Sequence, residues 1–201
     1  MSKVVIQGNA SGTGNFTIAA PNSNTDRTLT LPDVAGTVLT SGSNADFPAG
    51  SVLQFATATS DGLITTTTSG APSTITNGGE IFSLSFTPKR SNSLLLAQTS
   101  SISIHEESNF TDTLWLALWD GSTFISANSG IWKYTSFASS LNGAYRTLNE
   151  SWTLTDSNTR TISVRGGAYA GSGTIYINGN GYHSYTGSSG RVSLTVWEIA
   201  Q

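Results

Sequence analysis

Few side chains in this sequence are equipped for chemistry, and those few are poorly grouped. Among 201 residues there are two histidines and no cysteine, so thiolate metal sites, nucleophilic thiols and disulfides are all excluded. His105 ends the run "SISIH" beside Glu106 and Glu107, with Asp112 shortly after. Such oxygen-rich groups suit a hard cation when a loop converges them. The spacing fits no metal motif, however, and a solvated turn between strands is the simpler expectation. His183 lies in "GNGYHSYTG" between Tyr182 and Tyr185. Rigid rings and amides on a loop offer contact area at small entropic cost, which suits a sugar or a protein surface. Tyr182, His183 and Tyr185 are therefore candidate receptor contacts.

Signatures of catalysis are missing. No Gly-x-Ser-x-Gly elbow occurs. The run "GAYAGSG", residues 167–173, lacks the Lys-Ser/Thr ending of a phosphate loop and reads as a hairpin turn. Glu106, Glu107, Glu150 and Asp156 are the carboxylates to watch for glycoside cleavage, whose paired acids are defined by distance in the fold. The expectation is a protein that is not an enzyme, with no cofactor and no metal.

The elements that would carry these residues are strands. Serine and threonine supply roughly 30% of the chain and charged residues 10%, a balance that disfavours helices because hydroxyls compete for backbone hydrogen bonds. From residue 48 onward come "SVLQFATA", "EIFSLSFTP", "SLLLAQTSSISIH", "DTLWLALWD", "TLNESWTLT", "RTISVRGGAYA", "TIYINGN" and "RVSLTVWEI", separated by turn residues. Phe82, Leu84 and Phe86 alternate with Ser83 and Ser85. Val192, Leu194 and Val196 alternate with Ser193 and Thr195. Each such strand has one dry and one wet face.

"LWLALW", residues 114–119, departs from that pattern. Leu114, Leu116 and Leu118 share one face while Trp115, Ala117 and Trp119 share the other, so both need cover. In a sandwich the opposing sheet covers one. The second, Trp115/Ala117/Trp119, is a candidate trimer interface; the alternative is a loop or sandwich end folded over a tryptophan.

Residues 1–47 read differently. "NFTIAAP" and "RTLTLPD" are short extended pieces, Phe16 with Ile18 and Leu29 with Leu31 on shared faces, each ending at a proline. A segment of this size holds too few apolar side chains to offset its own chain entropy. Phe16, Ile18, Leu29, Leu31 and Pro32 are candidate docking residues that need a neighbour. The boundary is placed at "TSGSNADFPAGS", giving an attachment segment over 1–47 and a head over 48–201.

A net charge of −3 without a basic cluster argues against nucleic acid. No apolar run is long enough for a membrane-spanning helix, and the first ten residues lack the pattern of a secretory signal.

The opening "GNASGTGNFTIAAPNSNTDRTLTLPDVAGTVLTSG" resembles an N-terminal module of tail-fibre and other structural proteins of marine and cyanobacterial bacteriophages. Gly12, Phe16 to Ile18, Pro21, Thr30 to Asp33 and Gly36 to Leu39 carry the likeness. The later strands, with "LWLALWDGST", "GTIYING" and the terminal "SLTVWEI", are similar to the jelly-roll heads of tumour-necrosis-factor/C1q type. The resemblance implies an all-β antiparallel jelly-roll sandwich, a homotrimer, located on a virion. Its N-terminal segment would hold other virion proteins, and its head would meet a host glycan or outer-membrane protein. A tail-fibre-like adhesin is the leading expectation, a capsid decoration protein or head fibre the alternative, and a capsule-modifying enzyme a distant third.

Overall fold

The computed structural model describes residues 47–106, 112–132, 142–169, 174–178 and 191–201, together with scattered positions between 8 and 35. Two compact units are distinguished, Met1–Val38 and Leu39–Gln201. In the first, no described position is in a strand or helix, and Ile18 is 75% exposed.

Among the described residues of the second unit all regular structure is strand: β1 (Val52–Ser60), β2 (Ile64–Thr66), β3 (Gly79–Phe86), β4 (Leu94–Thr99), β5 (Ile102–Glu106), β6 (Asp112–Asp120), β7 (Thr123–Trp132), β8 (Asn142–Arg146), β9 (Asn149–Thr153), β10 (Arg160–Ala168), β11 (Ile175–Ile177) and β12 (Val192–Ile199). They form three antiparallel sheets ordered β1-β12-β4-β9, β2-β11-β5-β8 and β3-β10-β6-β7.

The first two sheets repeat the same order: β1 and β2, β12 and β11, β4 and β5, and β9 and β8 hold matching places in them, and three of these pairs are short-linked runs of chain. Run β1–β2 breaks at 61–63, β4–β5 at Ser100 and Ser101, and β8–β9 at Thr147 and Leu148. Hydroxyls stitch the bend where the ladder is interrupted. Thr99 Oγ1 accepts from Leu148 N at 2.9 Å, and Ser100 Oγ accepts from Ser193 N at 2.8 Å. Counted by these matched pairs, the described strands form a bent four-stranded layer facing the four strands of β3-β10-β6-β7. This eight-stranded double layer is a jelly-roll sandwich.

The alternation read from sequence sets the core. Leu95, Ile104, Leu116, Leu118, Ile162, Val164, Ile177 and Leu194 are fully buried between the layers, where each such side chain contributes about 1.5–3 kcal/mol of transfer free energy. Three local expectations change. His105 lies inside β5 rather than in a turn, Gly167 and Ala168 belong to β10 rather than to a hairpin loop, and β7 is an additional strand. β7 escapes periodicity reading because its inward positions opposite Leu116 and Leu118 are Asn128 and Ser126, polar residues at a sheet edge.

Candidate functional site

The Trp115/Ala117/Trp119 face does lie outside the sandwich, but it needs no neighbouring subunit. All three residues are buried within the single chain, and Ile75 packs against them. The cover is the loop between β2 and β3. Gly78 N donates to Thr68 O at 3.1 Å and closes the loop at its base. Inside it Thr74 N bonds Ala71 O, and the Asn77 amide also donates to Ala71 O.

Sheet β3-β10-β6-β7 then anchors this loop. Trp115 Nε1 donates to Gly70 O at 3.1 Å, while Arg165 donates through Nε to Asn77 O at 3.0 Å and through Nη2 to Gly78 O at 2.9 Å. Gly78, with φ +67°, and Gly167 make room for the indole: a Cβ at Gly167 would lie 2.7 Å from the Trp115 ring. Trp119 meets Phe124 edge-to-face at 5.4 Å between centroids. Of the two covers weighed for this face, the folded loop is the one observed. The assignment to a subunit interface is corrected.

Uncovered apolar surface lies instead on the outside of β1-β12-β4-β9. Register places Phe55, Trp197, Leu96 and Ser151 in one row across the four strands, and Val52, Ile199, Leu94 and Thr153 in the next. Phe55 is 67% exposed, Val52 54% and Leu96 38%; Trp197, Ile199 and Leu94 are half-buried. The alternation of β12 contained this signal, since Trp197 and Ile199 continue the outward series of Ser193 and Thr195.

Between Trp197 and Ile199, Glu198 points inward and is fully buried. Its carboxylate accepts from Gln54 Nε2 at 2.8 Å, from Lys89 N at 2.8 and 3.0 Å, from Arg90 N at 3.2 Å and from Ser93 Oγ at 2.8 Å. Four donors replace the water that the anion gives up. The turn after β3 is thereby tied to the strand that carries Trp197.

The remaining candidates are partly placed. His105 is half-buried on β5 opposite Tyr176; its Nδ1 has no hydrogen-bond partner, and burial holds its pKa below the ordinary 6.5. Among the described residues no group of three His, Asp or Glu side chains is placed to hold a metal, and no helix is long and apolar enough to cross a membrane. Tyr182, His183 and Tyr185 lie outside the described residues, as do Phe16, Leu29, Leu31 and Pro32.

No protein-family model and no curated protein matches the chain. Among solved structures, dimeric latent PorU from Porphyromonas gingivalis matches 76% of this chain at 10% identity and a TM-score of 0.39, with 14% of PorU covered. The EclA C-terminal domain, a sugar-binding protein, matches 71% of this chain at 15% identity and a TM-score of 0.33, with 96% of that domain covered. Infectious bursal virus derived T=1 particles supply a third, over 75% of this chain at 12% identity and a TM-score of 0.32, with 37% of that protein covered. Likeness at this level assigns the chain neither a family nor a function.

Proposed function

We propose that the chain is a structural protein of a bacteriophage virion, a tail-fibre-like adhesin without enzymatic activity. Its N-terminal segment docks on other virion proteins, and its jelly-roll heads, assembled as homotrimers, touch a host-surface glycan or outer-membrane protein. The observation that carries this reading is the order of the fold along the chain. An eight-stranded jelly roll follows an opening whose Thr30 to Asp33 and Gly36 to Leu39 resemble the bacteriophage attachment module. The stable double layer leaves its loops free to vary for recognition. Weak contacts by single heads add up when several are carried on one particle.

Competition tests the proposal. Purified full-length chain, added to host cells before the phage whose genome encodes it, is expected to bind the cells and slow adsorption of the particles. Absence of both effects at saturating protein would overturn the adhesin role. If antibodies to the chain then label capsids and leave tails bare, the decoration alternative takes its place.

A further inference from the structure

At one edge of the sandwich the two layers meet without a shared ladder. β7 ends the sheet β3-β10-β6-β7 and β8 ends β2-β11-β5-β8, and the two strands are neighbours. Asn128 on β7 ties them together, its Nδ2 donating at 3.0 Å to the carbonyl of Thr147, just past β8. Into this seam β8 sends a charge. Arg146 pairs in register with Ile102, a fully buried core residue, so its side chain starts out on the inward face. The residue as a whole is half-buried, but its Nε and Nη2 are enclosed, and neither finds an acceptor among the described residues. From the other side Ser126, paired with buried Leu118, also faces inward, and its enclosed Oγ has no partner. Among the described residues, half of the enclosed polar side-chain atoms that lack a partner therefore lie on this one seam.

Other part-buried arginines receive acceptors from the fold. Arg160 gives Nη1 to Asp120 and Nη2 to Asp156, each at 2.7 Å, and Arg165 gives Nε to Asn77 O and Nη2 to Gly78 O. An enclosed guanidinium edge without an acceptor is more costly than a neutral donor left unpaired. Water accepts from such N–H groups but brings no charge to offset the cation. Nε and Nη2 are also a particular pair, because their N–H bonds run parallel along one edge of the planar group and match two oxygens of a single carboxylate or phosphate. We propose that the seam between β7 and β8 is an oxyanion site, in which the Nε/Nη2 edge of Arg146 takes a carboxylate or phosphate group side-on. Ser126, two residues before Asn128 on β7, faces the polar body that carries the anion. Entry breaks no backbone pairing, since no ladder joins β7 to β8. The proposal rests on the adhesin reading in one respect, that a glycan carries the anion, as a uronate or a sugar phosphate.

The test is titration of the full-length chain with sodium glucuronate, with inorganic phosphate and with neutral glucose at matched ionic strength, followed by calorimetry and by the arginine Nε–H resonances of isotope-labelled protein. Wild type is expected to take one glucuronate or one phosphate per chain, to show a downfield shift of the Arg146 Nε–H signal, and to ignore glucose. The anion bound more tightly identifies the source, a uronate or a sugar phosphate. Arg146→Lys keeps the charge and loses the fork, so it is expected to weaken binding at least about 10-fold. Arg191→Gln, at an exposed pair with Asp61, leaves binding unchanged. Should Arg146→Lys fold poorly, the wild-type Nε–H shift carries the test by itself. Binding of neither anion up to about 50 mM, equal affinity in Arg146→Lys and wild type, or an Arg146 signal that does not move overturns the site and leaves the adhesin reading to cell binding. A chain that takes the anion yet fails on cells removes the glycan carrier while the oxyanion site stands.

Discussion

Removing the carboxylate of Glu198 takes the acceptor out of a buried hydrogen-bond cluster. The group is fully buried and accepts hydrogen bonds from four donors, of which the Lys89 and Arg90 amides are backbone and Ser93 is itself fully buried. Glu198→Ala leaves those donors facing a cavity. Each buried unsatisfied donor costs about 1–3 kcal/mol. Gln54 can turn to water or to Thr87 O, which it already reaches at 2.7 Å, so the Lys89, Arg90 and Ser93 donors dominate and the expected loss is about 3–5 kcal/mol. For a domain of this length that lowers Tm by about 6–20 °C. Glu198→Gln fills the space but turns an NH2 group toward donors, and is expected to lose about half as much. Urea titration followed by tryptophan fluorescence measures the difference, with Glu80→Gln, whose ion pair is half exposed, as the surface control. A Glu198→Ala protein within about 1 kcal/mol of wild type would refute the claim that this carboxylate ties the turn after β3 to the last strand.

Further changes probe the roof over the tryptophans and the buried charges. A methyl group at Gly78 would lie 2.4 Å from Gly166 O and 2.6 Å from the Trp115 ring. Gly78→Ala is therefore expected to cost about 1–3 kcal/mol and to shift indole emission to the red. Asp120 holds Arg160 at 2.7 Å and Trp152 Nε1 at 2.9 Å, with both charged side chains largely buried. Asp120→Asn is expected to cost about 2–4 kcal/mol, whereas Asp61→Asn, which breaks the exposed pair with Arg191, changes the unfolding free energy by less than about 0.5 kcal/mol. Burial lowers the pKa of His105, so the unfolded chain binds a proton that the folded chain resists. Its contribution is present above pH 6.5 and is lost as pH falls from there through the lowered folded value. Urea midpoints at pH 7.5 and 5 are expected to diverge less in His105→Gln than in wild type.

Much of this architecture is written in side-chain alternation. Phe82, Leu84 and Phe86, and Val192, Leu194 and Val196, point into the core as their spacing requires, because a buried layer tolerates only one register. Two-sided apolar character in "LWLALW" was legible as a need for cover. The identity of the cover was not, since it depends on a loop whose Gly70, Asn77 and Gly78 close it back on the sheet through tertiary bonds to Arg165 and Trp115. Nothing local in "TTSGAPSTITNG" encodes that return beyond one large apolar side chain, Ile75, among small residues and turn formers. The exposed rows on β1, β12 and β4 were hidden for another reason. Phe55 and Leu96 acquire a common row only through pairing with Trp197, and two of the three strands involved are distant in sequence. Likewise Glu198 looks like one more surface acid near the C-terminus until the fold brings the 89–93 turn to it.

The claim that unites the jelly roll with the opening segment is that this protein is part of a virus particle. Mass spectrometry of purified particles, followed by gold-labelled antibody against residues 48–201, tests it most directly. Peptides of the chain are expected in intact particles, with label clustered on the tails at threefold multiples of the tail symmetry. Particles that retain full infectivity and contain no peptide of this chain would contradict it.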